Sequence, residues 1–537
     1  MASPDVVDAV VDAVVIGSGP NGLVAANALA DAGWDVLLLE AQDTIGGAVR
    51  SAEVIAPGYS TDLYSAFYPL AAASPVIKDL DLAAHGLRWV QAPQVLAHVL
   101  QDGRAAVLST DLATTSASLD RFAAGDGQAW ADMFAQWQHV RDQLLDALFT
   151  PFPPVKAAIR LLRRTHAAGA LDLARLAILP VNRLSRENFR GAGAGLLLTG
   201  NALHSDIPPD AAGSAVFGWL LTMLGQDVGY PVPEGGAGKL SGALASRFTG
   251  AGGQIRTGAR VASVVISHGR AVGVRCADGT VARARRGILA DVSAPSLYRD
   301  LVGVEHLPPV FAGRLDRFQW DHATLKVNWA LDRPVPWTAA GGHGAGTVHL
   351  GVDADGFSRF AADLAARRLP ENPFMLFGQM TTSDPTRSPA GTESVWAYTH
   401  VPNGIDWTAD QLADHVDRVQ RGIERHAPGF ADSIVGRHVQ TPADLQAANA
   451  NLMGGATNGG TARIHQQLFF RPTPGTGRAE TPVPGLFLAS ASAHPGGGVH
   501  GACGWNAALA ALRAQGRTGA VRRRMNRTAW SRLLKAK

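Results

Sequence analysis

The run Ala13-Val14-Val15-Ile16-Gly17-Ser18-Gly19-Pro20-Asn21-Gly22 decides the fold, because a short apolar strand leads directly into glycines spaced G-x-G-x-x-G. Leu23–Ala32, rich in Ala and Leu, predicts a helix that Gly33 stops, and Val36–Leu39 predicts the next strand, ending at Glu40. Strand, helix and strand make a βαβ unit. Its glycines have separate duties in a dinucleotide fold: Gly17 permits the tight turn, Gly19 lets the backbone approach a pyrophosphate, and Gly22 lets helix pack on strand. Ser18, Pro20 and Asn21 complete the loop, and the helix N-terminus offers the phosphates free N–H groups and the positive end of its dipole. Glu40 stands where an acid hydrogen-bonds the adenosine ribose, which disfavours a 2′-phosphate and hence NADP.

The continuation separates FAD from NAD. Glu40-Ala41-Gln42-Asp43-Thr44-Ile45-Gly46-Gly47-Ala48-Val49-Arg50 sets a second glycine pair beside the first, followed by a base that can reach a phosphate oxygen, which suits the longer molecule. With E-x5-G-G-x-x-R after the glycine fingerprint, the sequence resembles the FAD-dependent amine-oxidase and phytoene-desaturase superfamily. Two further segments carry the resemblance. Tyr230–Leu240 leads into a helix, then a strand meander through Val261–Ile266 and Ala271–Cys276, an Asp278-Gly279 hairpin turn and Gly287–Ala290. In the family this segment returns to the FAD domain and sets the backbone at the position of Val261 against the adenine.

Near the end, Pro484–Ala489 reads as a buried strand, His494-Pro495-Gly496-Gly497-Gly498-Val499-His500-Gly501 as a glycine turn, and Gly504–Ala514 as a helix. This is similar to the H-P-G-x-G signature of carotenoid desaturases, which aims a helix N-terminus at the pyrimidine end of the flavin and implies that Gly497, Gly498 and Val499 touch it. Ser490-Ala491 departs from the family pattern, so the polar contact to the ribityl chain is not carried over.

The expected fold is α/β: a discontinuous Rossmann-type FAD-binding domain (1–75, 230–300 and 455–512) with an inserted α+β substrate domain (76–229 and 301–454). In the insert, Gln128–Leu148 has helical apolar spacing, and Thr324–Leu331, Thr347–Val352, Phe374–Met380 and Ser394–Val401 read as strands. A chain of 537 residues, 46% apolar and 17% charged, with 60 Gly and 31 Pro, is multi-lobed and globular rather than disordered. Its longest apolar stretches, such as Phe217–Leu224, fall short of the roughly 18 residues of a membrane span, and the start carries Asp5, Asp8 and Asp12 where a secretory signal would be basic. Cys276 and Cys503 form no C-x-x-C, which excludes a disulfide scaffold, a Cys-based zinc site and a dithiol relay; a cytoplasmic protein without a metal is expected. The formal charge of +3 hides a basic tail, 513–537, that has no Asp or Glu and leaves the body net acidic, which argues against nucleic acid. Such a tail suits a peripheral membrane contact if it forms a helix, although solvated basic termini are the commoner case.

No second βαβ fingerprint follows, so an organic substrate is expected to reduce the flavin, with oxygen or a quinone taking the electrons. The resemblance implies an apolar substrate, an isoprenoid, carotenoid or other lipid; amine oxidation and a non-catalytic FAD-stabilised scaffold are the alternatives. No Cys or His lies in a flavin-attachment context, so the FAD is expected to be non-covalent. Among side chains, Lys326 shares a strand face with Thr324 and Asn328. In amine oxidases a Lys reaches the flavin through a water, while a solvated strand lysine is the plainer reading. His500 and Trp505 flank the glycine turn and are expected at the flavin, whereas His204, His400 and His494 are candidates by residue type alone and Cys503 is expected to pack.

Overall fold

The computed structural model describes residues 7–516 together with 518, 519, 521, 524–526, 528 and 530. Two seven-stranded sheets organise it. The first is built around β1 (Val7–Ile16), followed by helix α1 (Pro20–Asp31) and β2 (Val36–Leu39). β1 is longer than its apolar core predicts, and α1 begins at Pro20 rather than Leu23, since proline at the first helical position supplies a helix-ready φ.

β1 pairs in parallel with β2 on one side, Ile16 opposite Leu39, and with Val281–Ala290 on the other, Ile16 opposite Ala290. Leu486–Leu488 adds in parallel beyond it, Ala290 opposite Leu488, and Gln254–Arg256 extends the β2 edge. This register brings Gly17, Glu40, Asp291 and Ala489 out at one edge, the carboxyl end of the strands, where open α/β sheets bind ligands. The expected meander is present as Val261–Ser267, Arg270–Cys276 and Val281–Ala290, and the C-terminal helix spans Ala502–Gln515.

The second sheet runs in the order Ile434–Gln440, Ala323–Leu331, Glu393–Val401, Met375–Gln379, Ala345–Leu350, Gln94–Val99, Ala105–Leu108. Helices from 112 to 228 cover part of it. The helix expected over Gln128–Leu148 spans Asp126–Phe149, and its stripe is core: Trp130, Phe134, Trp137 and Val140 are buried, with Trp137 set edge-on to Trp219. Val76, Ile77, Leu80, Leu82 and Leu87, which lie past residue 75, pack into the core under α1, so the nucleotide-side body extends beyond the expected boundary.

Of the tail, Trp530 packs edge-on against Phe311 at 6.2 Å, while Val521 and Met525 are exposed. Arg517, Arg522, Arg523, Arg527, Arg532, Lys535 and Lys537 lie outside the described residues. Among the described residues no helix is long and apolar enough to cross a membrane.

Candidate active site

A cavity of about 530 Å³ opens at the carboxyl edge of the first sheet and runs into the second. Its outer half is the glycine cradle. Gly17 takes a left-handed φ of 92°. A Cβ on Gly22 would stand 2.1 Å from the Gly17 carbonyl oxygen, so only glycine lets α1 start this close to the turn. Glu40 is buried at 8% exposure: its Oε2 accepts from the Ser18 N–H at 2.8 Å and the Ser18 hydroxyl at 2.6 Å, and its Oε1 accepts from the Gln42 N–H at 2.9 Å. The acid is therefore fixed in place before any ribose arrives. Glu40→Ala is expected to weaken FAD binding by about 1.5–3 kcal/mol, roughly ten- to a hundredfold, read by fluorescence titration of apoprotein. Unchanged affinity would remove Glu40 as the ribose ligand.

The second glycine pair crosses the first at backbone distance, a Cβ on Gly47 lying 2.9 Å from Gly19 Cα, and the Gly46 N–H donates to the Ser18 carbonyl at 3.0 Å. Arg50 lines the cavity with one nitrogen bonded to the Tyr64 hydroxyl at 2.8 Å and its Nε free of any hydrogen-bond partner. Val261, Ser490, Ser492, Gly498 and Val499 line the same space. Thus Gly17, Gly19, Pro20, Asn21, Glu40, Gly47, Arg50, Val261, Gly498 and Val499 meet around one cavity, whereas Ser18, Gly22 and Gly46 do not line it: Ser18 and Gly22 donate to the lining acids Glu40 and Asp291, and Gly46 donates to Ser18. Gly497 is not among the lining residues; a Cβ on it would stand 3.0 Å from Asn458, which does line the cavity. The donor set, the backbone clearances and the buried acid fit a flavin dinucleotide.

Asp291, at the end of Val281–Ala290, also lines the cavity, and its Oδ2 accepts from the Gly22 N–H at 2.8 Å. It occupies the α1 N-terminus as a carboxylate would occupy a capping position. Burial foremost, with the Glu40 charge adding, pushes its carboxyl up to about 7, against the pull of the Gly22 N–H. A bound pyrophosphate near Asp291 would raise that value further, so binding would take up a proton and FAD affinity is expected to fall as pH rises through about 7. The raised value also means that Asp291 contributes stability that is lost as pH rises through about 7. Titrations and melting curves at pH 6 and 8 should show both trends in the wild type and weaken both in Asp291→Asn. Equal pH dependence in the two proteins would exclude Asp291 as the titrating group.

The inner half of the cavity rests on the second sheet. Lys326 is not solvated: every residue of Ala323–Leu331 is buried and Lys326 is 3% exposed, because the lobe covers the face that alternation alone would leave wet. Its Nζ donates to the Asp62 carbonyl and lies over the Trp396 ring, 5.4 Å from the centroid. Asp62 in turn holds Arg387 at 2.9 Å, both side chains with no exposed surface. Burial chiefly lowers the Lys326 ammonium to about 7; Asp62 opposes this and Arg387 assists it.

Two expected flavin neighbours lie elsewhere. His500 is buried outside the cavity lining; its Nδ1 accepts from the Ala502 N–H at 3.0 Å, its carbonyl accepts from the Ser74 hydroxyl, and its ring packs 5.3 Å from Phe149. It caps the last helix. Trp505, one turn into that helix, packs on the nucleotide-side core and is also absent from the lining. Position beside a glycine turn left open which way each ring faces, and capping and core packing turn both inward. His400 hydrogen-bonds the Leu203 carbonyl at 3.2 Å and His494 packs on Phe152, both outside the cavity, whereas His204 lines it. Cys503 is fully buried with its Sγ near the Gly496 carbonyl, and Cys276 is likewise buried and free. Asp291, Asp62 and Arg387 escape a sequence reading, since only strand adjacency and chain return bring them to the site.

Comparison with known proteins agrees with this geometry. The profile of flavin containing amine oxidoreductases matches residues 21–510. A mouse (Mus musculus) protein, pyridine nucleotide-disulfide oxidoreductase domain-containing protein 2, is 30% identical over 94% of this chain and 93% of its own. The lycopene-forming phytoene desaturase of Pseudescherichia vulneris is 24% identical over 93% of this chain and 98% of its own. Among solved structures, cyclohexylamine oxidase from Brevibacterium oxydans shares the fold with a TM-score of 0.57 at 17% identity, covering 95% of this chain and 99% of its own. With strand ends, glycine pairs and acid meeting around one cavity, and with this profile spanning nearly the whole length, the chain belongs to the flavin containing amine oxidoreductase family, whose cofactor is FAD.

Proposed function

We propose that this chain dehydrogenates an uncharged, largely apolar organic molecule, an isoprenoid-like compound being the leading class, with oxygen or a quinone as final acceptor. The observation that carries this is the continuity of one cavity from the nucleotide cradle to an inner chamber walled by Leu221, Leu376 and Trp396. When bound, FAD supplies the hydride acceptor that such an oxidation needs. Arg50 and the α1 N-terminus would hold the phosphate charge, and Glu40 the ribose. Lys326, neutral above about pH 7, takes at Nζ the proton that leaves the substrate with the hydride. The similarity to a phytoene desaturase supports an apolar substrate.

Amine oxidation is the second reading, favoured by the stacked Trp396–Tyr398 pair on the chamber wall. Against it, the face of Trp396 already carries the Lys326 amine, which in its charged form repels an ammonium. Acid precipitation should leave all yellow colour in the supernatant, as non-covalent FAD requires. Anaerobic bleaching with isoprenoids, amines and NAD(P)H then decides between the readings: bleaching by amines or NAD(P)H alone excludes the proposal.

A further inference from the structure

We propose that the helix Val155–Leu176 docks this protein on an anionic lipid bilayer, lying among the headgroups with its outer apolar stripe turned toward the acyl chains. The proposal stands apart from what the cavity oxidises.

The helix is apolar on two opposite faces. Inward, Ala157 is buried, and Leu161, Leu173 and Leu176 pack on the cluster that holds Trp130 and Trp137. Helical spacing sets Val155, Ile159 and Leu162 on the other side; after the break at His166, Leu171, Ala174 and, just past the helix end, Ile178 repeat the pattern. Both halves pack inward on the same cluster, so both turn these residues to solvent, and the five large ones are 46–72% exposed. Folding uses the inner stripe only. A surface helix ordinarily carries polar residues where the outer stripe lies.

The stripe belongs to a larger patch. Of the fourteen exposed large apolar side chains among the described residues, five lie here and three more, Ile464, Leu468 and Phe469, lie on one neighbouring segment. That segment meets both ends of the helix: Phe469 packs 5.8 Å from Phe152, while a Cβ on Gly213 would stand 3.4 Å from the Ala177 carbonyl oxygen and 3.7 Å from Ile464. Such a gathering marks an interaction surface rather than chance exposure. Phe152 also lies 5.8 Å from His494, which opens the turn whose Gly498 and Val499 line the cavity, so the patch adjoins the wall of the site.

Charge chooses the occupant. Val155–Leu176 carries Lys156, Arg160, Arg163, Arg164 and Arg175 against the single acid Asp172, on a body that is net acidic. Arg160 and Arg175 pair with Asp146 and Glu187 of neighbouring helices. Lys156 and Arg163 fall by spacing along one edge of the stripe, and at its N-terminal end the Arg478 Nε–H donates to the Phe152 carbonyl at 3.3 Å. Bases at the rim of an aliphatic stripe reach lipid phosphates while the stripe and their own stems enter the apolar layer. A second copy docked by two-fold symmetry would set these same bases against one another. Five bases and one acid place the helix in the surface of a bilayer rather than across it.

The test sediments FAD-loaded full-length protein, at low salt, with vesicles of phosphatidylcholine and of phosphatidylcholine mixed with phosphatidylglycerol. The mixed vesicles should bind about tenfold or more tighter, and added salt should release the protein. The variant Ile159→Asn, Leu162→Asn, Leu171→Asn should lose about tenfold or more of that binding while keeping the wild-type melting temperature and flavin content, because all three side chains are exposed in the free protein. Lys156→Gln, Arg163→Gln, an independent arm, should lose most of the preference for the mixed vesicles. No binding to the mixed vesicles, equal binding to both kinds, wild-type binding by the triple variant or full preference in the charge variant would overturn the proposal. A dimer seen by sedimentation velocity without lipid, and made monomeric by the triple variant, would overturn it as well, since the stripe would then be covered by a second copy.

Discussion

Gly504→Ala is expected to cost the protein its FAD and lower its melting temperature, although alanine is the better helix former by about 1 kcal/mol. The helix Ala502–Gln515 crosses α1 at this residue, and a Cβ there would stand 1.8 Å from the Asn21 carbonyl oxygen, with the Asn21 carbonyl carbon at 2.7 Å. Both neighbours are backbone, so no side chain can swing aside. The α1 N-terminus must move instead, and it is the wall of the cradle: Asn21 lines the cavity. Overpacking of this kind costs about 1–3 kcal/mol or more, beyond the propensity gain. Gly242→Ala is the matched control, in the interior of Gly238–Gly250 with nothing within 4 Å of its Cβ, and should stabilise slightly. If Gly504→Ala also raised the melting temperature and kept the flavin, the helices would not be in this contact.

Lys326→Met should slow flavin reduction by about a hundredfold while leaving FAD affinity near wild type, since a positioned proton acceptor contributes about 10²–10⁴ in rate and Lys326 sits on the substrate lobe, away from the cradle. The sign of the pH effect follows from the ammonium lowered to about 7: below that pH Lys326 is protonated and cannot accept, above it the amine is free. Wild-type reduction should therefore rise through about pH 7 and level off, and the Met variant should lose that inflection. A wild-type profile without an inflection near 7, or a Met variant that retains it, would remove Lys326 from the proton path. The variant should remain folded, because methionine fills the channel over Trp396 and removes a buried charge.

What the sequence made legible was local. The βαβ unit, the meander with its Asp278-Gly279 turn and the strand–turn–helix at the end each write their periodicity and punctuation into consecutive residues, so their elements are found to within a few positions. The site residues that went unread depend on which strands become neighbours. Asp291 reaches the α1 N-terminus only because Val281–Ala290 lies beside β1, and Asp62 meets Lys326 and Arg387 only across three separate stretches of chain. Orientation was the other hidden quantity. Lys326 sits on a strand whose pattern of alternation suggested a wet face, yet both faces are covered; His500 borders the right turn, yet its ring serves the helix behind it.

The parallel pairing of β1 with Val281–Ala290, and of that strand with Leu486–Leu488, also sets an order of assembly. During synthesis the first strand emerges long before the partner on its far side, separated from it by nearly half the chain, and the third is added only near the end. Until then an apolar strand edge waits unpaired, the situation in which nascent chains stick to one another or to chaperones. The cradle is closed only once residues near 490 have left the ribosome, so cofactor capture comes after translation of the body rather than during it. Yield of the full-length protein should then depend more on how long this edge is shielded than on flavin supply during elongation.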